Sequence, residues 1–520
     1  MIELILFGTF AVLLLLGVPV AFSMGLSAFA AIIWQSGLQG LIPASSVLYA
    51  GLSSETLLAI PFFILAGTIM EVTGISARLI EFADACVGHR KTGIALTTIL
   101  VALLFSSISG SGPATVAAIG GILIPALAKK GYSRRHAASL VASAGELGII
   151  IPPSIAYIVF AVVAADYERV SIGRLFMAGV VPGLILLVGL YIVAVFLPRA
   201  GEAAKANAKQ HADLAMGRIS RRGSRREQAG NVAEAGEPGG GDVAGGVREG
   251  SAAAGAAAAS GGVAAGGGVS AGAANAVLAV DDEPAPALSV DVVRTQRASW
   301  PEIWRAFYRA VPGLLVPVII LGGIYGGIFT PTESAAVACV YGLVVGLFVV
   351  RELKLKDLPT LFVTAGLASG RIMLIIATAT VFAYVITRNQ IARTVADWLL
   401  SLTDNWVVIV LLINLILLIA GMFIDAISAF YLFVPLFVPV MLELDMDITT
   451  IGVMMTMNLA LGLITPPVGI DLFVAAGIAK IPFMTAVKGI WPFLGVGIVV
   501  LMLVTFVPVL SNGLPDLLGL

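Results

Sequence analysis

The sequence predicts an all-α polytopic membrane protein made of two inverted repeats, each holding a re-entrant helical hairpin and a broken helix. Three observations lead there. The 520 residues are 59% hydrophobic and 12% charged, with mean hydropathy +1.03, whereas soluble domains carry about 25% charged residues. The apolar runs are long and do not alternate as barrel strands do. Ser, Gly, Pro and Thr interrupt several of these runs in their middles. An unpaired backbone polar group in an apolar medium costs roughly 2–7 kcal/mol, so broken backbone at membrane depth must be sheltered by protein or line a cavity.

Residues 1–54 are expected to form N-terminal scaffold helices. The apolar run 2–34 exceeds the ~20 residues of one span and Gly17-Val18-Pro19 interrupts it, so it is one kinked span or two short pieces. It has no basic leader and is too long for a cleavable signal. A polar loop is expected over 35–55. The first repeat then occupies 55–199: a span at 56–70, an amphipathic stretch at 73–87, and a hairpin at about 92–127. The hairpin carries FSSISGSGPATVAAIGGILIP at 105–125, and both its flanks are basic, with His89, Arg90 and Lys91 before it and Lys129, Lys130, Arg134 and Arg135 after it. Basic loops stay in the cytoplasm, so this segment enters and leaves on that side. Next, 137–165 is a helix interrupted by Pro152-Pro153, and 172–197 is a further span.

Residues 200–299 differ in kind. They open with a basic stretch and continue as Ala, Gly and Ser repeats, a composition that cannot bury a core and reads as a disordered cytoplasmic insertion. Scaffold helices resume over 300–360, with a tight polar turn at 330–333. The second repeat fills 361–510, with a hairpin at about 407–442, and 511–520 is a C-terminal tail. Cys86 and Cys339 lack metal or redox spacing and read as small packing residues.

The repeat is visible as a shift of 314 residues, which lays Pro125 on Pro439, Gly148 on Gly462, and Pro152-Pro153 on Pro466-Pro467. The loops flanking the second hairpin hold Asp404, Glu443, Asp445 and Asp447 and no Lys or Arg. The second hairpin therefore opens to the opposite side, and inverted repeats with paired broken segments are the architecture of secondary transporters.

Four motifs carry a family resemblance: Ser106-Ser107-Ile108-Ser109-Gly110-Ser111, Leu147-Gly148-Ile149-Ile150-Ile151-Pro152-Pro153-Ser154, Gly421-Met422-Phe423-Ile424-Asp425, and Leu461-Gly462-Leu463-Ile464-Thr465-Pro466-Pro467-Val468. Together they resemble the large membrane subunit of TRAP transporters, the DctM type, over nearly the whole chain outside 200–299. The resemblance implies an elevator-type, sodium-coupled importer of small organic acids in the bacterial inner membrane. It also implies two separate partners, a four-helix small subunit (DctQ type) and a periplasmic solute-binding protein (DctP type). Lipid is the expected surround, and no nucleic-acid partner is expected.

Sodium is well served by hydroxyls and unwound backbone carbonyls. The resemblance places one ion at Ser106, Ser109, Gly148, Ile151 and Pro153. It places another at Gly421, Gly462, Thr465 and Val468, with Ile151 and Val468 acting through their carbonyls. The competing reading is that these Gly and Pro residues only permit close packing and kinks. For substrate, Gly110 and Ser111 lie at the first tip, and Arg388 and Asp425 are charges at the edge of or within apolar runs, where charge tends to be functional. An arginine can fork to a carboxylate; Arg388 also reads as an interfacial residue. Arg371, Asp471 and Glu146 are further charges in apolar runs. A proton-coupled symporter or ion exchanger of related architecture is the alternative function. An intramembrane serine hydrolase fails because a nucleophile needs a base within hydrogen-bond reach, and His89 and His136 flank the hairpin at its far ends.

Overall fold

The computed structural model describes residues 1–89, 92–197 and 298–520. The insertion expected at 200–299 lies, up to residue 297, outside the described residues. All regular structure among the described residues is helical, and eight helices are long and apolar enough to cross a membrane.

The N-terminal run is two helices, Ile2–Leu15 and Val20–Ser36, separated where Pro19 stands as the N-cap of the second. The expected polar loop at 35–55 is a correction: most of it is the helix Leu41–Leu52. Leu41, Ala44, Leu48 and Leu52 recur at helical spacing and turn inward, while Ser45 and Tyr49 face outward. A single apolar stripe suffices to seat a helix whose other side is polar. The tight turn at 330–333 is a capping box. The Thr330 hydroxyl accepts from Glu333 N–H at 3.2 Å, and the Glu333 carboxylate accepts from Thr330 N–H at 2.8 Å, satisfying two donors the helix start would otherwise leave orphaned.

The two repeats match element by element. The first hairpin is Gly93–Ser109 and Gly112–Lys129; the second is Trp406–Gly421 and Ala426–Glu443. The first broken helix runs through Arg134–Gly145, Leu147–Ile150 and Ile155–Ala164, bent by 44°. The second is Ile448–Gly462 and Ile470–Ala479. Each break contains a cis peptide between its two prolines, Pro152-Pro153 and Pro466-Pro467.

Burial separates the centre from the rim. Every residue of Ile448–Gly462 is buried. Ile172–Phe196 instead buries one stripe and leaves Val188, Ile192 and Phe196 exposed, as a helix facing lipid does. The rim also includes Leu358–Arg388 packed on Val20–Ser36, Pro331–Val344 on Ala59–Val72, and Trp300–Tyr325 along Ile75–Val87. Ion pairs Arg309–Glu81 (3.3 Å) and Arg78–Glu352 (3.0 Å) tie the amphipathic helix Ile75–Val87 to this frame. The residues expected as a C-terminal tail continue a helix, Val509–Leu517. It packs on Ile172–Phe196, and Arg174 holds it through Asp516 at 2.8 Å.

The final half of each broken helix crosses into the other repeat. Ile470–Ala479 packs against Arg134–Gly145 and Gly112–Lys129 of the first repeat. In return, Ile155–Ala164 packs against Ala426–Glu443 of the second, with the Phe160 and Phe430 rings 5.8 Å apart. This exchange knits the two hairpins and the two breaks into one buried body.

Candidate functional site

The site consists of two junctions, each formed where a hairpin tip meets its broken helix. At the first, the chain turns at Gly110 and Ser111. A side chain on Gly110 would begin 3.1 Å from the Pro153 carbonyl, and one on Gly148 would begin 2.8 Å from the Ser111 carbonyl and 2.9 Å from Thr115 Oγ1. Ser109, Gly110, Ser111, Gly148 and Pro153 are thereby brought together, with Ile151 buried beside them. Ser109 Oγ lies 3.0 Å from Thr115 Oγ1, and the Thr115 hydroxyl donates to the Ser111 carbonyl at 2.8 Å. Ser106 is fully buried, and its hydroxyl has no partner among the described residues. A buried hydroxyl left in that state calls for an occupant.

The second junction is tighter. A side chain on Gly462 would begin 2.5 Å from both Cα and carbonyl carbon of Gly421, so here two backbones touch. Thr465 is buried and its hydroxyl donates to the Leu461 carbonyl at 2.6 Å. Val468 follows the two prolines and is 39% exposed.

Asp425 stands at the second tip as the N-cap of Ala426–Glu443. One carboxylate oxygen accepts from Ile427 N–H and Ser428 N–H, both at 3.1 Å, and the other accepts from the Ser428 hydroxyl at 2.6 Å. This capping task is one that the charge-in-an-apolar-run argument did not foresee. Arg388 is not brought to either tip: it is exposed at the end of Leu358–Arg388 and donates to the Tyr384 hydroxyl at 3.1 Å.

Sequence reasoning missed three contributors. Thr115 completes the hydroxyl cluster, and its signal was its place in the first turn after Gly112-Pro113. Asn414 and Asn458 form a buried pair behind the second tip, Asn458 Nδ2 donating to the Asn414 side-chain and main-chain oxygens at 2.8 and 2.9 Å. A cavity of about 190 Å³, lined in part by Ser54, Asp166, Tyr167, Thr380, Thr387 and Tyr431, lies between residues of the buried body and of the frame. The Nδ1 atoms of His89 and His136 have no hydrogen-bond partner among the described residues.

The model of the family described as "Tripartite ATP-independent periplasmic transporter, DctM component" matches residues 7–226 and 250–510. The C4-dicarboxylate TRAP transporter large permease protein DctM of Pseudomonas aeruginosa is 36% identical over 465 residues, covering 89% of this chain and 87% of that protein. The isethionate TRAP transporter permease protein DctMQ of Oleidesulfovibrio alaskensis is 34% identical over 504 residues; the match covers 97% of this chain but only 65% of that protein. Among solved structures, the YdaH transporter of Alcanivorax borkumensis shares the fold with a TM-score of 0.54 at 14% identity, over 99% of this chain and 98% of that one.

Proposed function

The chain belongs to the DctM component of the tripartite ATP-independent periplasmic transporters, and from that premise we propose that it couples the import of small organic acids to sodium by an elevator movement. The observation that carries the proposal is the first junction, where a fully buried Ser106 hydroxyl without a partner stands beside a hydroxyl cluster and a broken helix. These residue types fit a hard monovalent cation, which takes oxygen ligands and needs no carboxylate cage. Ser106, Ser109, Gly148, Ile151 and Pro153 would hold one sodium ion, and Gly421, Gly462, Thr465 and Val468 a second. The bound ions would supply positive charge at the two tips, where an anionic substrate needs it. Gly110, Ser111 and Asp425 border the substrate position in this reading; Arg388 is left out of it because of its exposed place beside Tyr384.

The exchange of broken-helix ends supports a moving unit. Hairpins and breaks packed into one body can travel together, while the frame helices stay in lipid. The cavity between frame and body is the seam along which they would slide. Substrates are set by analogy to relatives whose names specify C4-dicarboxylates, isethionate and sialic acid. The partners would be a small membrane subunit of the DctQ type and a periplasmic binding protein of the DctP type, in the bacterial inner membrane. The relative named DctMQ is longer than this chain by about a third of its own length, which accommodates a second component.

The test is uptake into proteoliposomes holding this chain with its small subunit and binding protein. We expect uptake in sodium buffer with the proton gradient collapsed, and background counts in choline buffer. Uptake that ignores sodium and follows the proton gradient would establish the proton-coupled alternative instead.

A further inference from the structure

Two carboxylates sit in the buried body away from any group that could neutralise them. Glu146 is 1% exposed and Asp471 is fully buried, and none of their four oxygens has a hydrogen-bond partner among the described residues. They come from different repeats: Glu146 immediately precedes Leu147–Ile150 of the first break, and Asp471 opens Ile470–Ala479, the end that crosses over from the second. The crossing sets Asp471 beside Gly145, the residue that precedes Glu146. Asp471 Oδ2 points at the place where the hairpin arm starting at Gly112 meets the helix ending at Gly145. A side chain on Gly112 would begin 2.6 Å from that oxygen, and one on Gly145 3.2 Å from it and 3.2 Å from the Gly112 carbonyl. One turn before Glu146 on the same helix face, Ser143 is fully buried and its hydroxyl also lacks a partner.

Among the described residues neither carboxylate takes part in an ion pair. Arg134, Arg135 and His136 begin the helix that ends at Gly145, so Arg135 lies about 16 Å from Glu146 along the axis. Lys488 is level with Arg135, since its neighbour Gly489 packs on the Arg135 carbonyl. Lys480 ends Ile470–Ala479, about 13 Å from Asp471, and Lys129 is at the far end of the hairpin arm. Two buried carboxylates with neither donor nor counter-charge cost many kcal/mol unless a proton or another cation supplies the missing charge, and a proton on one with an alkali cation at the other balances the pair.

We propose that Glu146 and Asp471, with the Ser143 hydroxyl and the Gly112 carbonyl beside them, form a binding site for an alkali-metal cation at the seam between the repeats. The ligand is of the sodium class. A divalent ion takes six or more oxygens, and Mg²⁺ keeps several waters besides, and among the described residues no third acidic or imidazole side chain joins the pair. This site is separate from the hydroxyl-and-carbonyl positions at the two tips. Because one ligand comes from each repeat, an ion here fastens the second repeat's broken helix to the first hairpin, adding to the packing that already joins them.

The experiment is equilibrium binding of radioactive sodium to the full chain with its small subunit in lipid nanodiscs. The variants are Glu146→Gln, Asp471→Asn and, at a tip, Thr465→Val; folding is checked by size-exclusion and circular dichroism. Each carboxylate variant is expected to lose about one sodium equivalent per chain, and the sodium-induced rise in Tm is expected to shrink. Thr465→Val should lose a different equivalent, so Asp471→Asn with Thr465→Val loses both. If the carboxylate variants bind as much sodium as the unaltered chain, with only the tip variant deficient, the seam site is overturned and the tip reading stands. The reverse pattern removes the tip reading alone. Should neither carboxylate variant fold, the unaltered chain still decides: more equivalents than the two tips hold supports the site, and two or fewer refutes it. Potassium and magnesium competition completes the test, since displacement of sodium by magnesium alone would overturn the alkali assignment.

Discussion

At the second junction Gly421 and Gly462 meet backbone to backbone; at the first, Gly148 meets a carbonyl and a rotatable hydroxyl. Behind the second tip, Asn458 Nδ2 donates to both oxygens of Asn414, while Asn458 Oδ1 has no partner among the described residues. The shift of 314 residues puts Leu100 and Ala144 at their places in the first repeat, and Ala460 at the place of Glu146. The two units therefore share their geometry and differ in which polar groups stay open: among the described residues the second leaves Asn458 Oδ1 and the Asp471 carboxylate without partners, and the first leaves Ser106, Ser143 and Glu146. The contact of two backbones assigns the rigid role to the second junction, and the rotatable hydroxyl gives the yielding one to the first.

The largest effect should come from Gly462→Ala. The new methyl group begins 2.5 Å from Gly421 main-chain atoms, which cannot rotate away, and overpacking of this kind costs about 1–3 kcal/mol or more. Uptake should fall to background, with a lower Tm. Gly148→Ala should cost less, because Thr115 Oγ1 can turn aside and the tip can yield. Equal damage from the two, measured by uptake and thermal unfolding, would erase the distinction between a rigid and a yielding junction.

Next comes the amide pair. Asn458→Ala strands the Asn414 side chain in a buried site, at roughly 1–3 kcal/mol. Asn414→Leu together with Asn458→Ala reproduces the first repeat's Leu100 and Ala144. That double variant should be more stable than the sum of the single losses predicts, since both polar partners leave at once. Strict additivity in thermal unfolding would mean that the pair does not act as a unit.

Much of this plan was legible in the sequence because it is local. Gly and Pro punctuate the breaks, Ser and Thr mark the first tip, and the 314-residue shift aligns the units without structural input. The exchange of broken-helix ends was not legible. It depends on which surfaces of Ile470–Ala479 and Gly112–Lys129 fit together, and no spacing within either segment encodes that. Asp471 and Glu146 were visible as charges in apolar runs, yet only the crossing makes them neighbours. The helix at 41–52 was read as a loop because Ser45, Ser46 and Gly51 outweighed an inward stripe of only four residues. Asp425 was visible as a charge, while its capping bonds needed the turn that the backbone makes there.

The smallest effect separates capping from contact at Asp425. Its two oxygens already accept three hydrogen bonds from Ile427 and Ser428. Asparagine caps a helix about as well as aspartate, whereas alanine loses roughly 0.5–2 kcal/mol. If holding the second tip in shape is the residue's main task, Asp425→Ala lowers Tm and uptake together, and Asp425→Asn changes both only slightly. A carboxylate in contact with the ion or substrate behaves differently: Asp425→Asn then leaves Tm in place and removes uptake, because the amide keeps the cap and drops the charge. The first outcome keeps the second unit structural, in line with the backbone contact of Gly421 and Gly462 at its junction. The second moves part of the ligand-binding role to it and narrows the contrast with the first.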